Sequence, residues 1–594
     1  MMLGLLAFSV YAGGSKEATA PAASTPTTSS SQTMTAATVK NPDTFIYASY
    51  GDAQTLDPAV AYDNVSWTNM TQFYETLIGY DKADTGSFVP LLATEVPTQA
   101  NGGISKDGLT YRFHIRQNVH FHNGDVLTPE DVAYSFKRDL VVDPAGGPDW
   151  VWYQVFLGLG GSRDDNGKID VTFNQINSTV TVDGNDVVFH LKDPYAAFLS
   201  VLANTWGAIV DKQWVIAQGG WDGTAATWEK YNNPPAGKET LFEKANGTGP
   251  YKLTRWDKGN EIVVDRFDGY WGPKPALREG VYKIVNEWST RKLLLLQGDA
   301  DAIQVDSTYY PEMDKESGLT VTKNPTLIIT SIFFNFDTVT QDNPYVGSGK
   351  LDGQGVPANF FADKNVRLGF EYAWDEKTFL QDATNGYDTD PVTPIPFGLP
   401  YKDTSIQRPA FDLQKAASYF KQAFGGQLWD NGFKLQISFN TGNKVREIAA
   451  KMIAENLAKI NPKFQISVTG IQWAQYLNLY KTRQLPLFII GWAPDYPDPD
   501  DYVVPFIASK GAYAGRQSYK NAEADTLIQQ AGIATDPAVR KADYYKIQAI
   551  YMQDVPSLTI DQRVEKDYFK NWVKGFFFNP MQSTPYDRLK SMSK

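Results

Sequence analysis

The densest run of chemically capable side chains in this sequence is Gly491-Trp492-Ala493-Pro494-Asp495-Tyr496-Pro497-Asp498-Pro499-Asp500-Asp501-Tyr502. Four aspartates are interleaved there with three prolines and three aromatic rings. Prolines restrict the backbone and so hold neighbouring side chains still. A carboxylate beside an indole face suits a ligand carrying positive charge and apolar surface, through charge-assisted hydrogen bonding and cation–π attraction. Trp492, Asp495 and Tyr496 are therefore candidate ligand contacts. The same residue types also build a stiff surface turn with solvated carboxylates, and residue type alone does not separate the two readings.

Such a loop needs a scaffold. The apolar run Leu485–Ile490 that precedes it reads as a buried strand. Strands expected at 433–439 and 464–469 alternate with helices at 364–374, 375–385, 411–424 and 443–460, the second starting at Asp375 and the third capped by Asp412. A last helix runs from Asp536-Pro537 to Met552. Alternation of this kind predicts an α/β domain. Upstream, Phe45–Ser49, Leu109–Phe121, Val187–Leu191, Tyr251–Trp256 and Glu261–Arg266 read as strands, and 64–80 as a helix. Thr128, Pro129 and Asp131 have the spacing of a helix start. Residues 143–181 read as an elaborated loop with short strands, and 218–248 as a long aromatic-rich connection. The pattern changes near 326, where the long apolar strand Leu327–Phe336 begins.

The rest of the sequence narrows the chemistry. The chain has 594 residues, enough for two or more domains, and its net charge of −12 gives no basic field for nucleic acid. It contains no cysteine, which excludes disulfides, thiolate metal sites, cysteine nucleophiles and a lipoprotein anchor. His120 and His122 share one face of an expected strand, but no carboxylate completes a metal-ligand spacing, so no metal and no cofactor is expected. The acidic loop lacks the glycine and closing glutamate of a calcium-binding EF-hand. No nucleophile elbow, zincin helix or P-loop is present, which points away from an enzyme, although a glycosidase using two carboxylates stays open by count alone. Leu3–Val10 and Val10-Tyr11-Ala12 read as the end of a signal peptide (1–12), and 13–43 as a disordered Ala/Ser/Thr/Pro-rich leader.

Five stretches in order resemble one family. They are Thr55-Leu56-Asp57-Pro58 with Phe73–Leu77; Asn118–Asp125 with Leu127–Val132; Gly247–Tyr251 with Tyr270-Trp271; Gly298-Asp299-Ala300-Asp301; and the opening loop. Together they resemble the extracellular family 5 solute-binding proteins of ABC transporters, the peptide-binding class. The resemblance implies a two-lobed α/β periplasmic-binding-protein fold of type II, large peptide-binding subclass. Lobe I would be 44–326 with an extra subdomain at about 85–245, lobe II 327–558, and 559–594 would return to lobe I. It also implies a monomeric, exported, periplasmic protein that gives a peptide, or alternatively an oligosaccharide, to the transmembrane subunits and ATPases of an ABC permease. It gives His122 a structural role. On the same basis Asp495 holds a ligand ammonium and Trp492 packs on the first residue. Asp52 and Ala53, with the strand around Phe333, Phe334 and Asn335, pair with the peptide backbone.

Overall fold

The structure, a computed structural model, describes residues 39–594 apart from Asp165 and Thr535. The expected signal remnant and all of the leader before residue 39 lie outside the described residues. Lys40–Lys594 form one compact unit.

A ten-stranded sheet organises that unit, in the order Phe464–Ile471, Phe433–Asn440, Leu487–Trp492, Leu319–Phe334, Ser557–Lys570, Ala302–Ile303, Thr44–Ser49, Glu279–Ile284, Glu261–Arg266, Tyr251–Asp257. The two central strands are the longest, 16 and 14 residues, and each serves both halves of the sheet. Their antiparallel ladder runs from Leu319↔Lys570 to Pro325↔Val564, breaks, and resumes at Ile329↔Gln562. Pro325 has no N–H to continue the ladder. Side chains bridge the break: Thr326 Oγ1 donates to the Arg563 carbonyl at 2.8 Å, and Gln562 Nε2 donates to the Thr326 carbonyl at 2.9 Å. The change of pattern expected near 326 falls at this break.

Beyond the break, Leu319–Phe334 is covered on both faces. Ile332 and Phe334 enter one hydrophobic cluster, while Ile329 and Phe333 enter another on the opposite side. That is the alternation of a strand with no solvent face. A separate core joins Phe45–Leu277 to the C-terminal residues Tyr586, Leu589 and Met592.

The helices Lys364–Ala373, Glu376–Thr384, Leu413–Phe420, Lys444–Ile460 and Pro537–Asp554 occur where expected, with Asp375, Asp412 and Asp536 as side-chain caps. The Thr128/Asp131 capping box is present. Three expectations are corrected. The helix expected over 64–80 stops at Phe73, and Ile78–Asp81 pairs with Asp84–Pro90. The β-branched Thr76 and Ile78, with Gly79, disfavour continuing the helix. Within Leu109–Phe121 only Thr110–His114 is a named strand. Residues 143–181 contain two helices, Trp150–Leu157 and Phe173–Ser178. The first is apolar on nearly every side, so it carries no one-faced periodicity to read.

Candidate ligand-binding site

The strand Leu487–Trp492 delivers the acidic loop into the interior. Asp495, Asp500 and Asp501 are 1%, 1% and 0% exposed, which overturns the reading of a surface turn with solvated carboxylates. The loop is held by its own carboxylates. Asp501 Oδ2 accepts from the Asp495 backbone N–H at 2.8 Å, and Asp500 Oδ2 accepts from the hydroxyls of Tyr496 and Tyr195 at 3.0 and 3.1 Å. Asp498 forms an ion pair with Arg540 at 2.7 Å. These three aspartates shape the loop.

Asp495 faces an enclosed chamber of about 70 Å³, whose lining also includes Tyr62, Arg446, Trp473, Trp492 and Arg563. Its Oδ2 accepts from the Tyr62 hydroxyl at 2.7 Å, and that hydroxyl in turn accepts from Trp150 Nε1 at 2.7 Å. Asp495 Oδ1 is buried and has no hydrogen-bond partner among the described residues. Burial pushes the Asp495 carboxyl well above the usual carboxylate range, against the Tyr62 hydrogen bond. Trp492 stands edge-on to Tyr62, ring centroids 5.8 Å apart, and lines the same chamber.

Two arginines supply the opposite charge. Arg446, in the first turn of Lys444–Ile460, donates from Nη1 to Asn440 Oδ1 at 2.7 Å, and its buried Nε has no partner among the described residues. Burial lowers its pKa, and the charge of Arg563 lowers it further. Arg563, on the strand Ser557–Lys570, is held strongly protonated: burial opposes its charge, and Asp561, Tyr50, Glu565 and Asp306 together more than offset that. Gly491 lets Arg446 approach: a Cβ there would stand 2.8 Å from Arg446 Nη2 and 2.9 Å from the Ile329 carbonyl oxygen.

Asp495 and Trp492 thus lie on one chamber, and the other candidates do not line it. Tyr496 is fully buried in the hydrophobic cluster that holds Tyr195, edge-on to that ring at 6.3 Å. Phe333 is paired on both sides, with Phe488 and Ser557, so its backbone cannot take a ligand strand. Its ring stacks on Phe488 at 5.3 Å. Phe334 packs on Phe361 at 4.9 Å. Asn335 is spent on loop support, donating from Nδ2 to the carbonyls of Arg483 and Leu485 at 3.2 Å each. Asp52 accepts from Trp256 Nε1 at 2.8 Å and the Gly259 N–H at 2.7 Å, and also from the Ala53 N–H at 2.8 Å. That leaves the Ala53 N–H occupied by the neighbouring Asp52 side chain.

Tyr62, Arg446, Trp473 and Arg563 were not singled out by the sequence reading. A signal existed for Arg446: a cation in the first turn of a helix opposes the helix dipole and needs a reason to be there. His122 is structural. Its Nε2 meets the Gly249 carbonyl at 2.9 Å, and burial lowers its pKa to about 4, so the ring is neutral and donates. Among the described residues no group of His, Asp or Glu is arranged to hold a metal.

The chain is similar to known proteins along most of its length. The dipeptide-binding protein of Escherichia coli K12 is 25% identical over 575 residues, covering 94% of this chain and 96% of that one. Heme-binding protein A of Haemophilus influenzae is 24% identical over 559 residues, 93% and 92% of the two chains. The solved structure of the periplasmic binding protein DppA from Helicobacter pylori, in complex with the peptide STSA, superposes with a TM-score of 0.74 at 23% identity, covering 93% of this chain and 98% of that one. The two-lobed α/β binding-protein fold implied by the sequence motifs is the fold of this chain. The family model for bacterial extracellular solute-binding proteins, family 5 (middle region), matches residues 87–514. The chain belongs to the bacterial extracellular solute-binding proteins of family 5.

Proposed function

We propose that this protein captures a short peptide in the chamber between its lobes and passes it to the permease of an ABC importer. The observation that carries this is an acidic and a basic side chain, each with an unspent atom, on one cavity, where an arriving ammonium would restore the Asp495 charge that burial suppresses. Asp495 keeps an unpartnered oxygen and Arg446 an unpartnered nitrogen, both buried. A free peptide is a zwitterion, so its ammonium meets Asp495 and its carboxylate meets Arg446. Buried charges left unpaired are costly, and a ligand that pairs both at once relieves both costs. Trp492 and Trp473 supply apolar walls. An oligosaccharide, the alternative ligand, would meet the same two groups with neutral hydroxyls and bring no charge to pair with either.

As a solute-binding protein of this family the chain is a carrier, not an enzyme. Among the described residues no helix is long and apolar enough to cross a membrane. The relatives named above include periplasmic proteins, and we place this chain in the same compartment, exported and monomeric. The lobe boundaries near 326 and 558, the extra subdomain at about 85–245 and the return of 559–594 to the first lobe belong to this proposal. The register break between Pro325 and Ile329 supports a hinge there.

Calorimetric titration with a free dipeptide and with its N-acetylated and C-amidated forms tests this reading. Loss of one charge-assisted hydrogen bond costs about 1.5–3 kcal/mol, so each blocked form should bind roughly 10- to 100-fold more weakly. Equal affinity for all three forms would overturn it.

A further inference from the structure

A second cavity, of about 50 Å³, has Arg563 in its lining, as the ligand chamber does. Its lining contains the carboxyl groups of Asp306, Asp388, Glu565 and Asp567. On Ser557–Lys570, the residues Asp561, Arg563, Glu565 and Asp567 occupy alternate positions, so they share one face of the strand. Two cations accompany the four carboxyls: Lys566 is committed to Asp314, whose carboxylate oxygens lie 2.5 and 2.6 Å from Nζ, while the charge of Arg563 is shared among Asp561, Glu565 and Asp306.

A second feature points to an occupant. Tyr47, 2% exposed, lines the cavity and its hydroxyl makes no hydrogen bond among the described residues. Asp567 Oδ2 is held by Asn324 Nδ2 at 2.8 Å, which leaves Oδ1 for another donor. No group of acidic residues here is arranged as a metal site, so the cavity suits a cation that brings its own hydrogen-bond donors on a stem. Burial pushes Glu565 up to about 7 against the charge of Arg563, and burial with the charge of Glu565 pushes Asp567 well above the usual range.

Building on the peptide reading of the chamber, we infer that the cavity behind Arg563 receives the basic side chain of a ligand's second residue, so that the preferred substrates are dipeptides ending in lysine or a similar amine. A lysine stem of four carbons passes Arg563 and delivers an ammonium with three donors to Glu565, Asp567 and the Tyr47 hydroxyl.

The test is calorimetric titration of the full protein with Ala-Lys, Ala-norleucine and Ala-Glu. Norleucine keeps the stem and removes the ammonium. Ala-Lys should bind at least about tenfold more tightly than Ala-norleucine, and Ala-Glu most weakly. The Glu565→Gln variant, and separately Asp567→Asn in case one fails to fold, should narrow the Ala-Lys to Ala-norleucine ratio. Equal affinity for Ala-Lys and Ala-norleucine in the unmodified protein overturns the inference while leaving the peptide reading intact. If no dipeptide binds, the chamber reading falls and this one with it.

Discussion

The hydroxyl of Tyr62 donates to Oδ2 of Asp495 at 2.7 Å across 433 residues of sequence. This bond ties the helix-forming segment before Asn64 to the acidic loop and leaves Oδ1 of the same carboxyl without a partner. One oxygen is fixed by the protein and the other is unpartnered.

Tyr62→Phe removes that donor and leaves a fully buried carboxyl with no hydrogen bond. Such a deletion costs about 1–3 kcal/mol. Urea unfolding of the ligand-free protein should show a lower midpoint with an unchanged slope. An unchanged midpoint would mean that the bond contributes nothing to holding the cleft.

Gly491→Ala places a methyl group 2.8 Å from Arg446 Nη2 and 2.9 Å from the Ile329 carbonyl. The arginine can shift but the backbone oxygen cannot, so overpacking should destabilise by about 1–3 kcal/mol and displace Arg446. Peptide affinity should fall about tenfold or more, since a charge-assisted bond is misaligned. Retention of full affinity would remove Arg446 from the site.

Arg446→Gln separates the two ends of the ligand. The unmodified protein should prefer a free dipeptide over its C-terminal amide by roughly 10- to 100-fold, and the variant should show nearly no preference. Discrimination at the N-terminus should persist in the variant. Loss of both preferences together would indicate a general collapse of the chamber.

Asp500 gives a pH dependence with a definite sign. Burial, aided by the charge of Asp498, raises its pKa from 3.8 to about 6 in the folded protein. A carboxyl whose folded value is raised binds more protons folded than unfolded. Its contribution is therefore fully present below about pH 4 and is lost as pH rises to about 6, a change of roughly 3 kcal/mol at about 1.4 kcal/mol per unit. His122 acts in the opposite sense: its folded value of about 4 lies below 6.5, so its contribution grows over pH 4 to 6.5. Asp500→Asn should remove the falling component, so that its melting temperature climbs more steeply with pH over this window than that of the unmodified protein. Parallel profiles would show that Asp500 does not titrate there.

Legibility in the sequence followed periodicity. Helices such as Lys444–Ile460 and the run Leu487–Trp492 were readable because their apolar spacing and caps are local. Trp150–Leu157 was not, because a helix buried on most sides has no polar face to mark it. Within the site, Trp492 and Asp495 were readable because they lie together in one loop and match a family motif. Arg446, Arg563 and Tyr62 come from separate elements that only the fold brings to one chamber. Phe333, Phe334 and Asn335 lie off the chamber, and the pairing of Phe333 on both sides is a tertiary fact that no single strand discloses.

The central claim is that Asp495 binds a peptide's free ammonium. A double-mutant cycle tests it directly, titrating a free and an N-acetylated dipeptide into the unmodified protein and into Asp495→Asn. The predicted coupling is about 1.5–3 kcal/mol: acetylation should weaken binding strongly in the unmodified protein and hardly at all in the variant. A coupling near zero, with acetylation equally costly in both proteins or in neither, would contradict it.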